Sequence, residues 1–165
     1  MSRAFVKEAD DALQSDELPE RPQSPHPNYV TPKGLEQLHG KVHALQAERG
    51  QLAAQDDPMA RTRLLEVKRD LRYFQGRVER AILVDTTGQP KDEVHFGAEV
   101  GIEDADGART VYRIVGEDEA DVNAGSISWA SPLGTAMIGL KVGESFMWNR
   151  AGKSQDVEIV GIRYS

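Results

Sequence analysis

The chain of 165 residues contains no cysteine. Disulfide frameworks and thiolate metal sites are therefore excluded, and the composition suits a reducing compartment. No segment approaches the run of about 20 apolar residues that a membrane-spanning helix needs, and the N-terminus lacks the apolar core of a signal peptide. These absences predict a soluble cytoplasmic protein with no membrane partner. With 39% hydrophobic residues, the chain can form one ordinary domain or two small ones.

Two stretches carry the apolar spacing of amphipathic helices, with steps of three and four residues. The first stripe consists of Leu35, Leu38, Val42, Leu45 and Leu52. The second stripe consists of Leu64, Val67, Leu71, Phe74, Val78 and Ala81. A short acidic turn at 55–58 separates them, and so short a connection forces antiparallel packing. The pattern predicts an antiparallel coiled-coil hairpin over residues 29–85.

The start of each predicted helix has a local signal. Thr31 and Asp57 have side-chain oxygens that accept hydrogen bonds from the free amides of a first helical turn. Pro32 and Pro58 follow them, at the position where a missing N–H costs nothing. Both helices are therefore expected to begin at a proline.

Within the first 28 residues, residues 4–13 can form a short helix, but the proline-rich run after it favours no regular structure. Four prolines lie between Pro19 and Pro27, and so dense a proline run cannot form a helix. We expect a flexible N-terminal arm over residues 1–28. An arm that docks on the body or on a partner is the alternative.

After the hairpin the apolar period changes to two. Residues 86–90 read as a linker, and the alternating segments that follow predict strands at 94–102, 110–115, 126–129, 145–148 and 157–164. Asp106-Gly107 predicts a tight hairpin turn. Ser131 followed by Pro132 predicts the start of one short helix. Residues 91–165 should thus form a small antiparallel sheet with one short helix, which makes the fold class α+β.

Positive charge is concentrated in the predicted hairpin. The chain has a net charge of -7, but residues 31–85 carry ten basic and eight acidic side chains, whereas both flanking parts are net acidic. A basic helix can hold phosphates through charge-assisted contacts. The candidate phosphate or nucleic-acid contacts are Arg61, Arg63, Lys68, Arg69 and Arg72. A solvated face that pairs with Glu66, Asp70 and Glu79 is the alternative.

Six segments form a recognisable set. They are YVTPKGL from Tyr29, VD from Val84, FGAEV from Phe96, YRIVGEDEAD from Tyr112, SIS from Ser126 and SPLG from Ser131. Together they resemble the GreA/GreB family of bacterial transcript cleavage and elongation factors, with this chain as a divergent member. The resemblance implies that the hairpin enters the secondary channel of RNA polymerase. It also implies that residues 91–165 form an FK506-binding-protein-like (FKBP-like) domain that docks on the rim of that channel.

The resemblance also implies which residues contact the polymerase rim. The family's contacts surround the Ser-Pro block and a neighbouring loop, and the matching residues here are Asp118, Glu119, Asp121, Ser131, Pro132 and Leu133. Where the family often has Asp or Asn before that serine, this chain has Ala130. A plain helix N-terminus at Ser131 and a solvated acidic turn at 117–121 are the alternatives.

The hairpin tip departs further from the family. Cleavage factors carry an Asp-x-x-Glu motif there, whose carboxylates help to hold the second Mg²⁺ of the polymerase and its attacking water. This tip offers only the adjacent Asp56 and Asp57, and Asp57 is already expected as a helix cap. The hairpin is also expected to be shorter than in the cleavage factors, by about two helical turns or ~10 Å. No cofactor or metal site of the chain's own is predicted.

These observations predict a non-enzymatic regulator that binds bacterial RNA polymerase at its secondary channel and stimulates transcript cleavage weakly or not at all. Contact with nascent RNA inside that complex is compatible with the basic helix. Two other functions stay open at this point: an active cleavage-stimulating factor that uses Asp56 and Asp57, and an interaction module unrelated to transcription. The oligomeric state is also open.

Overall fold

A computed structural model describes residues 17–165. The chain divides into two compact units. Of the described residues, the first unit combines 17–24 with 38–79, and the second combines Pro25–Gln37 with Arg80–Ser165. Among residues 17–165, no helix is both long enough and apolar enough to cross a membrane.

The two predicted long helices are present. Helix α1 spans Pro32–Ala53 and helix α2 spans Pro58–Glu79. Both predicted caps are confirmed: the Thr31 hydroxyl accepts the Gly34 N–H at 3.0 Å, and the Asp57 carboxylate accepts the Ala60 N–H at 2.9 Å. The first turn of each helix is thereby closed by its own local sequence.

The predicted apolar seam forms the core of the first unit. Leu45, Val67 and Leu71 are buried, and the partly buried neighbours that pack on them are Val42, Leu52 and Phe74. Each residue belongs to one of the two predicted stripes, so burial follows the helical period.

The prediction that the helical stripe continues to Ala81 is wrong. Helix α2 ends at Glu79, and Ala81–Leu83 is a short strand, β2, that pairs in parallel with β1 at Asn28–Val30. The next residue continues this pairing, because the Val84 N–H donates to the Val30 carbonyl at 3.1 Å. Backbone pairing with a segment about fifty residues away outweighs the local helical pattern, as tertiary context commonly does.

Part of the expected arm lies along α2. The Arg21 guanidinium lies 4.0 Å from the centre of the Tyr73 ring and 3.2 Å from the Asp70 carboxylate. Gln23 Nε2 donates to the Tyr73 carbonyl at 2.9 Å. These contacts correspond to the docked alternative for residues 17–24, whereas residues 1–16 of the expected arm lie outside the described residues.

The second unit contains a five-stranded sheet in the order β5-β4-β3-β7-β6. Its strands are β3 (Glu99–Glu103), β4 (Arg109–Val115), β5 (Ser126–Ser128), β6 (Ser145–Arg150) and β7 (Lys153–Arg163). The predicted α+β class is confirmed, but the sheet is mixed where an antiparallel one was expected, because β5 pairs with β4 in parallel. Two 3₁₀ turns, Glu117–Glu119 and Val122–Ala124, return the chain so that β5 runs in the direction of β4.

One short helix packs on this sheet, as expected. Helix α3 spans Pro132–Met137, and the Ser131 hydroxyl accepts the Gly134 N–H at 3.1 Å, which confirms the predicted cap. Leu133 and Met137 join the strand residues in the core of the unit. The remaining buried core residues are Val94, Ala98, Val100, Ile102, Tyr112, Ile114, Ile127, Val157 and Ile159.

The hairpin predicted at Asp106-Gly107 joins β3 to β4, but its loop is longer than a two-residue turn. Glu103 pairs with Arg109, so residues 104–108 form the loop. The Asp104 carboxylate accepts the N–H groups of Asp106 and Ala108 at 2.9 and 3.0 Å. These side-chain hydrogen bonds hold the wider loop, a use of aspartate that is common in turns.

Candidate functional site

Asp56 and Asp57 are adjacent at the tip of the hairpin, but their carboxylates have different partners. Asp57 caps α2 through Ala60. Asp56 forms an ion pair with Arg61, and both side chains are exposed. One carboxylate is thus committed to the helix start and the other faces an arginine. Within residues 17–165, no cluster of acidic or histidine side chains has the composition of a metal site.

The most exposed large apolar side chain of the described chain is also at the tip. Met59 is 83% exposed and lies beside Pro58, Thr62 and Arg63 around a shallow depression. Met59 is not among the residues predicted from the sequence. Its position, directly after the first proline of α2 and off the apolar stripe, is the signal that identifies it. The tip therefore presents a thioether as well as a charge pair.

On the basic side of α2, Arg63 is held by acidic neighbours. Its guanidinium contacts Glu48 of α1 at 2.8 Å and Glu66 of α2 at 3.0 Å. The hydrogen bond with Glu48, followed by that with Glu66, raises the pKa of Arg63 above its ordinary value. Lys68 is exposed. Arg63 is thus paired with acidic side chains of the same protein, as in the alternative in which this side of α2 is a solvated face.

Further along α2, Arg69 and Arg72 also have acidic partners. Arg69 contacts Asp70 at 3.1 Å, and Arg72 contacts Glu20 of the arm at 2.6 Å. Burial acts to raise the pKa of Asp70, but hydrogen bonds from Arg69 and Arg21 outweigh it and the pKa is lowered. Arg77, near the end of the same helix, is only 1% exposed and is no surface cation. The cationic surface of α2 is therefore smaller than the sequence suggests.

The acidic residues expected at the polymerase rim lie in one loop, residues 116–121, which we call the acidic loop. Asp118 and Asp121 are exposed, and Asp121 accepts the Asn123 N–H at 3.2 Å. Glu119 is half-buried, and its carboxylate accepts hydrogen bonds from the N–H groups of Thr31 and Gly116, each at 3.1 Å. Of the three predicted contacts, Asp118 and Asp121 are presented to solvent and Glu119 is engaged internally.

The three residues of the Ser-Pro block have different surroundings. Ser131 caps α3, and its hydroxyl also donates to the Ser128 carbonyl at 2.6 Å. Leu133 is only 8% exposed and packs in the core, whereas Pro132 is exposed. A partner at this surface therefore meets Pro132, while Ser131 and Leu133 hold it in place.

Strand β5 connects these two predicted contact regions. The Asp121 N–H donates to the Ser126 carbonyl at 2.9 Å at one end of β5, and the Ser131 N–H donates to the Ser128 carbonyl at 3.0 Å at the other. Because β5 is three residues long, the two regions are separated by roughly 7 Å of strand. The structure thus gathers the acidic loop and the Ser-Pro block at one edge of the sheet.

Comparisons with known proteins identify the class. Residues 89–164 match the family model described as "Transcription elongation factor, GreA/GreB, C-term". The transcription elongation factor GreB of Neisseria meningitidis (serogroup A, serotype 4A) is 30% identical over 153 residues, which cover 83% of this chain and 94% of that protein. The transcription elongation factor GreA of Rhodospirillum rubrum is 32% identical over 151 residues, covering 82% and 96%.

This chain therefore belongs to the GreA/GreB family of transcription elongation factors. Among solved structures, the GreA factor homolog 1 (Gfh1) of Thermus thermophilus is similar, with 19% identity and a TM-score of 0.41 over 84% of this chain and 99% of that one. The GreA/GreB factor of Nitrosomonas europaea has 19% identity and a TM-score of 0.43 over 87% and 100%. Similarities this low bear on neither function nor site.

Proposed function

We propose that this protein binds bacterial RNA polymerase at the secondary channel, with residues 91–165 docked on the channel rim and the 29–85 hairpin directed inward. Membership of the GreA/GreB family supports the polymerase as partner. In this proposal the protein has no active site or cofactor of its own. It acts by changing what the polymerase does.

The docking surface in this proposal consists of the acidic loop and Pro132 at the β5 edge. Asp118 and Asp121 are exposed and carry negative charge, which suits a basic patch on the polymerase. Pro132 is exposed next to them and is rigid, so a contact with it costs little conformational entropy. Ser131 holds Pro132 in place by capping the helix, and Leu133 does so by packing in the core.

We further propose that the docked protein stimulates transcript cleavage weakly or not at all. The observation that carries this proposal is the state of the tip carboxylates, since Asp57 caps α2 and Asp56 faces Arg61. A carboxylate that shares its charge with an arginine is a poorer Mg²⁺ ligand than a free one, and Mg²⁺ needs near-ideal octahedral geometry. The protein would then occupy the channel and compete with cleavage-stimulating factors.

A backtracked RNA polymerase complex tests both parts. We expect the purified protein to bind the complex, to add no cleavage of the nascent transcript, and to reduce the cleavage produced by a competing cleavage factor. Asp118→Asn/Asp121→Asn should weaken binding by about tenfold if the acidic loop meets a basic surface. Lack of binding by the unaltered protein would overturn the proposed partner.

The alternative in which the tip is active has its own variant. Asp56→Ala/Asp57→Ser removes both carboxylates, while serine at position 57 keeps an N-cap for α2. If the unaltered protein stimulates cleavage and this variant does not, the tip carboxylates reach the metal and the proposal of weak cleavage is wrong. We expect that neither the unaltered protein nor this variant adds cleavage.

A further inference from the structure

The Glu119 carboxylate joins two parts of the second unit. Its Oε2 accepts the N–H groups of Thr31 and Gly116, each at 3.1 Å, and its Oε1 accepts the Thr31 hydroxyl. Gly116 belongs to the acidic loop, whereas Thr31 is the cap of α1. One side chain is thus bonded to the proposed docking loop and to the residue at which α1 begins.

Two glycines provide the space for this arrangement. A Cβ atom at Gly34, in the first turn of α1, would lie 2.1 Å from Glu119 Cδ, and a Cβ atom at Gly116 would lie 2.4 Å from the Tyr29 carbonyl oxygen. The absence of a side chain at Gly34 therefore leaves the space that the Glu119 carboxylate occupies.

The chemistry of the contact favours a carboxylate. The Thr31 hydroxyl donates its hydrogen to Glu119 and keeps a lone pair for the Gly34 N–H at 3.0 Å. A negative charge at a helix N-terminus is also favourable to the helix dipole. Glu119 therefore orients the cap as well as binding to it.

We propose that Glu119 is a positioning residue, which acts through Thr31 to hold the start of α1 against the acidic loop. This inference rests on the proposed function. In it, Asp118 and Asp121 dock on the polymerase, and Glu119 links the loop that carries them to the start of α1. Glu119 itself does not touch the polymerase. Without it, the factor docks but the start of α1 is no longer held.

The test separates docking from placement. A photo-crosslinking amino acid at Met59 reports the tip, and its crosslink yield to the polymerase is measured at saturating factor, alongside the dissociation constant. Glu119→Ala should bind within about threefold of the parent but lose crosslink yield by about fivefold or more. Glu119→Gln, which keeps an acceptor oxygen for the two amides, should retain most of the yield. Asp92→Ala, which removes an exposed carboxylate of the same unit, is the matched control.

Gly34→Ala tests the same contact from the helix side. Alanine favours a helix more than glycine does, so a loss of crosslink yield in this variant points to the displaced Glu119 carboxylate. The crosslink yield of Gly34→Ala/Glu119→Ala should be no lower than that of either single variant, because the two substitutions disrupt the same contact. A full crosslink yield in Glu119→Ala, or a loss of affinity as large as that of the Asp118→Asn/Asp121→Asn variant, would overturn the inference.

Amide hydrogen exchange of the free protein gives a readout that does not depend on the polymerase. Glu119→Ala should speed exchange at Thr31 and Gly34, because their N–H groups lose an acceptor or an oriented cap. Unchanged exchange at both amides would also overturn the inference. If the parent protein fails to bind polymerase, the proposed function fails, and this exchange experiment alone decides whether Glu119 holds the start of α1.

Discussion

At the residue scale, the clearest electrostatic feature of the sheet is Glu99 between two arginines. Its carboxylate contacts Arg113 of β4 and, at 2.7 Å, Arg163 of β7. The hydrogen bonds from Arg113 and then Arg163 lower the pKa of Glu99 against the effect of burial. The ionised carboxylate therefore bridges two strands on the face of the sheet opposite the core.

This bridge predicts that Glu99→Gln lowers the stability of the fold by an amount that depends on pH. The folded-state pKa of Glu99 is lowered, so its contribution is present above the unfolded value of about 4.3 and is lost as pH falls through the folded value. Because both arginines are substantially exposed, we expect Glu99→Gln to reduce the free energy of unfolding by only about 1 kcal/mol near pH 7. Urea unfolding at several pH values should show this difference shrinking as pH falls below the ordinary glutamate value of about 4.3.

The control for that measurement is Glu103→Gln. Glu103 contacts a single arginine, Arg109, at 2.6 Å, and the Arg109 side chain is 73% exposed. Its replacement should have a smaller effect near neutral pH. A difference between Glu99→Gln and the parent protein that stays constant with pH would show that the carboxylate charge contributes nothing to the bridge.

At the scale of elements, side-chain contacts hold the arm segment 17–24 against helix α2. Arg21 stacks on Tyr73 and pairs with Asp70, while Gln23 occupies the space beside Gly76 that a Cβ atom would fill. Proline prevents this segment from forming a helix, but it does not prevent extended docking. The arm thus covers part of the basic face of α2.

Arg21→Ala should release this segment. Loss of the cation–π and ion-pair contacts should reduce the free energy of unfolding by about 0.5–1 kcal/mol, since Arg21 is partly exposed. The more specific readout is faster amide exchange in residues 17–24, with little change in the α1–α2 seam. Arg21→Lys keeps the charge but loses the planar stacking, so it should fall between the parent and Arg21→Ala. Unaltered exchange in the arm of Arg21→Ala would show that other contacts hold it.

At the scale of the whole molecule, the proposed weak stimulation of transcript cleavage has two possible causes, tip chemistry and hairpin length, and one substitution separates them. Met59 stands three residues after Asp56 and is exposed, so Met59→Glu would create the Asp-x-x-Glu spacing of cleavage factors. Helix α1 has 22 residues and is roughly 33 Å long at ~1.5 Å per residue. We expect a hairpin of this length to place even a correct carboxylate pair short of the catalytic metal.

Met59→Glu should therefore stimulate cleavage no more than Met59→Gln, which matches its size without the charge. The assay is transcript cleavage by a backtracked complex at saturating concentrations of each variant. A clear gain in Met59→Glu alone would show that the hairpin is long enough, and that tip chemistry is what the parent protein lacks.

Prediction from the sequence succeeded where the signal was local. The two apolar stripes gave the helices of the hairpin, and Thr31, Asp57 and Ser131 each gave a helix start that the structure confirms. Those predictions depend on residues within one or two turns of each other. Met59 carries a local signal as well, because it is an apolar residue off the stripe next to the tip.

Other features depended on partners far along the chain. The β1–β2 pairing, the parallel alignment of β5 with β4 and the docked arm each join segments that no local pattern connects. The internal role of Glu119 is of the same kind, since its partner Thr31 lies 88 positions earlier. A carboxylate in an acidic turn looks solvated until its acceptor atoms are seen to be occupied.

The helical hairpin, its caps, the short helix and the family can thus be predicted from the chain alone, because hydrophobic period, capping and recognisable segments act over short distances in the chain. The fold was needed to see that the sheet is mixed, that α2 ends at Glu79 and that Glu119 holds Thr31 while Asp118 and Asp121 stay exposed. The physical reason is that hydrogen-bond donors and acceptors must be satisfied by whichever groups the fold brings within reach, and sequence separation does not limit that choice.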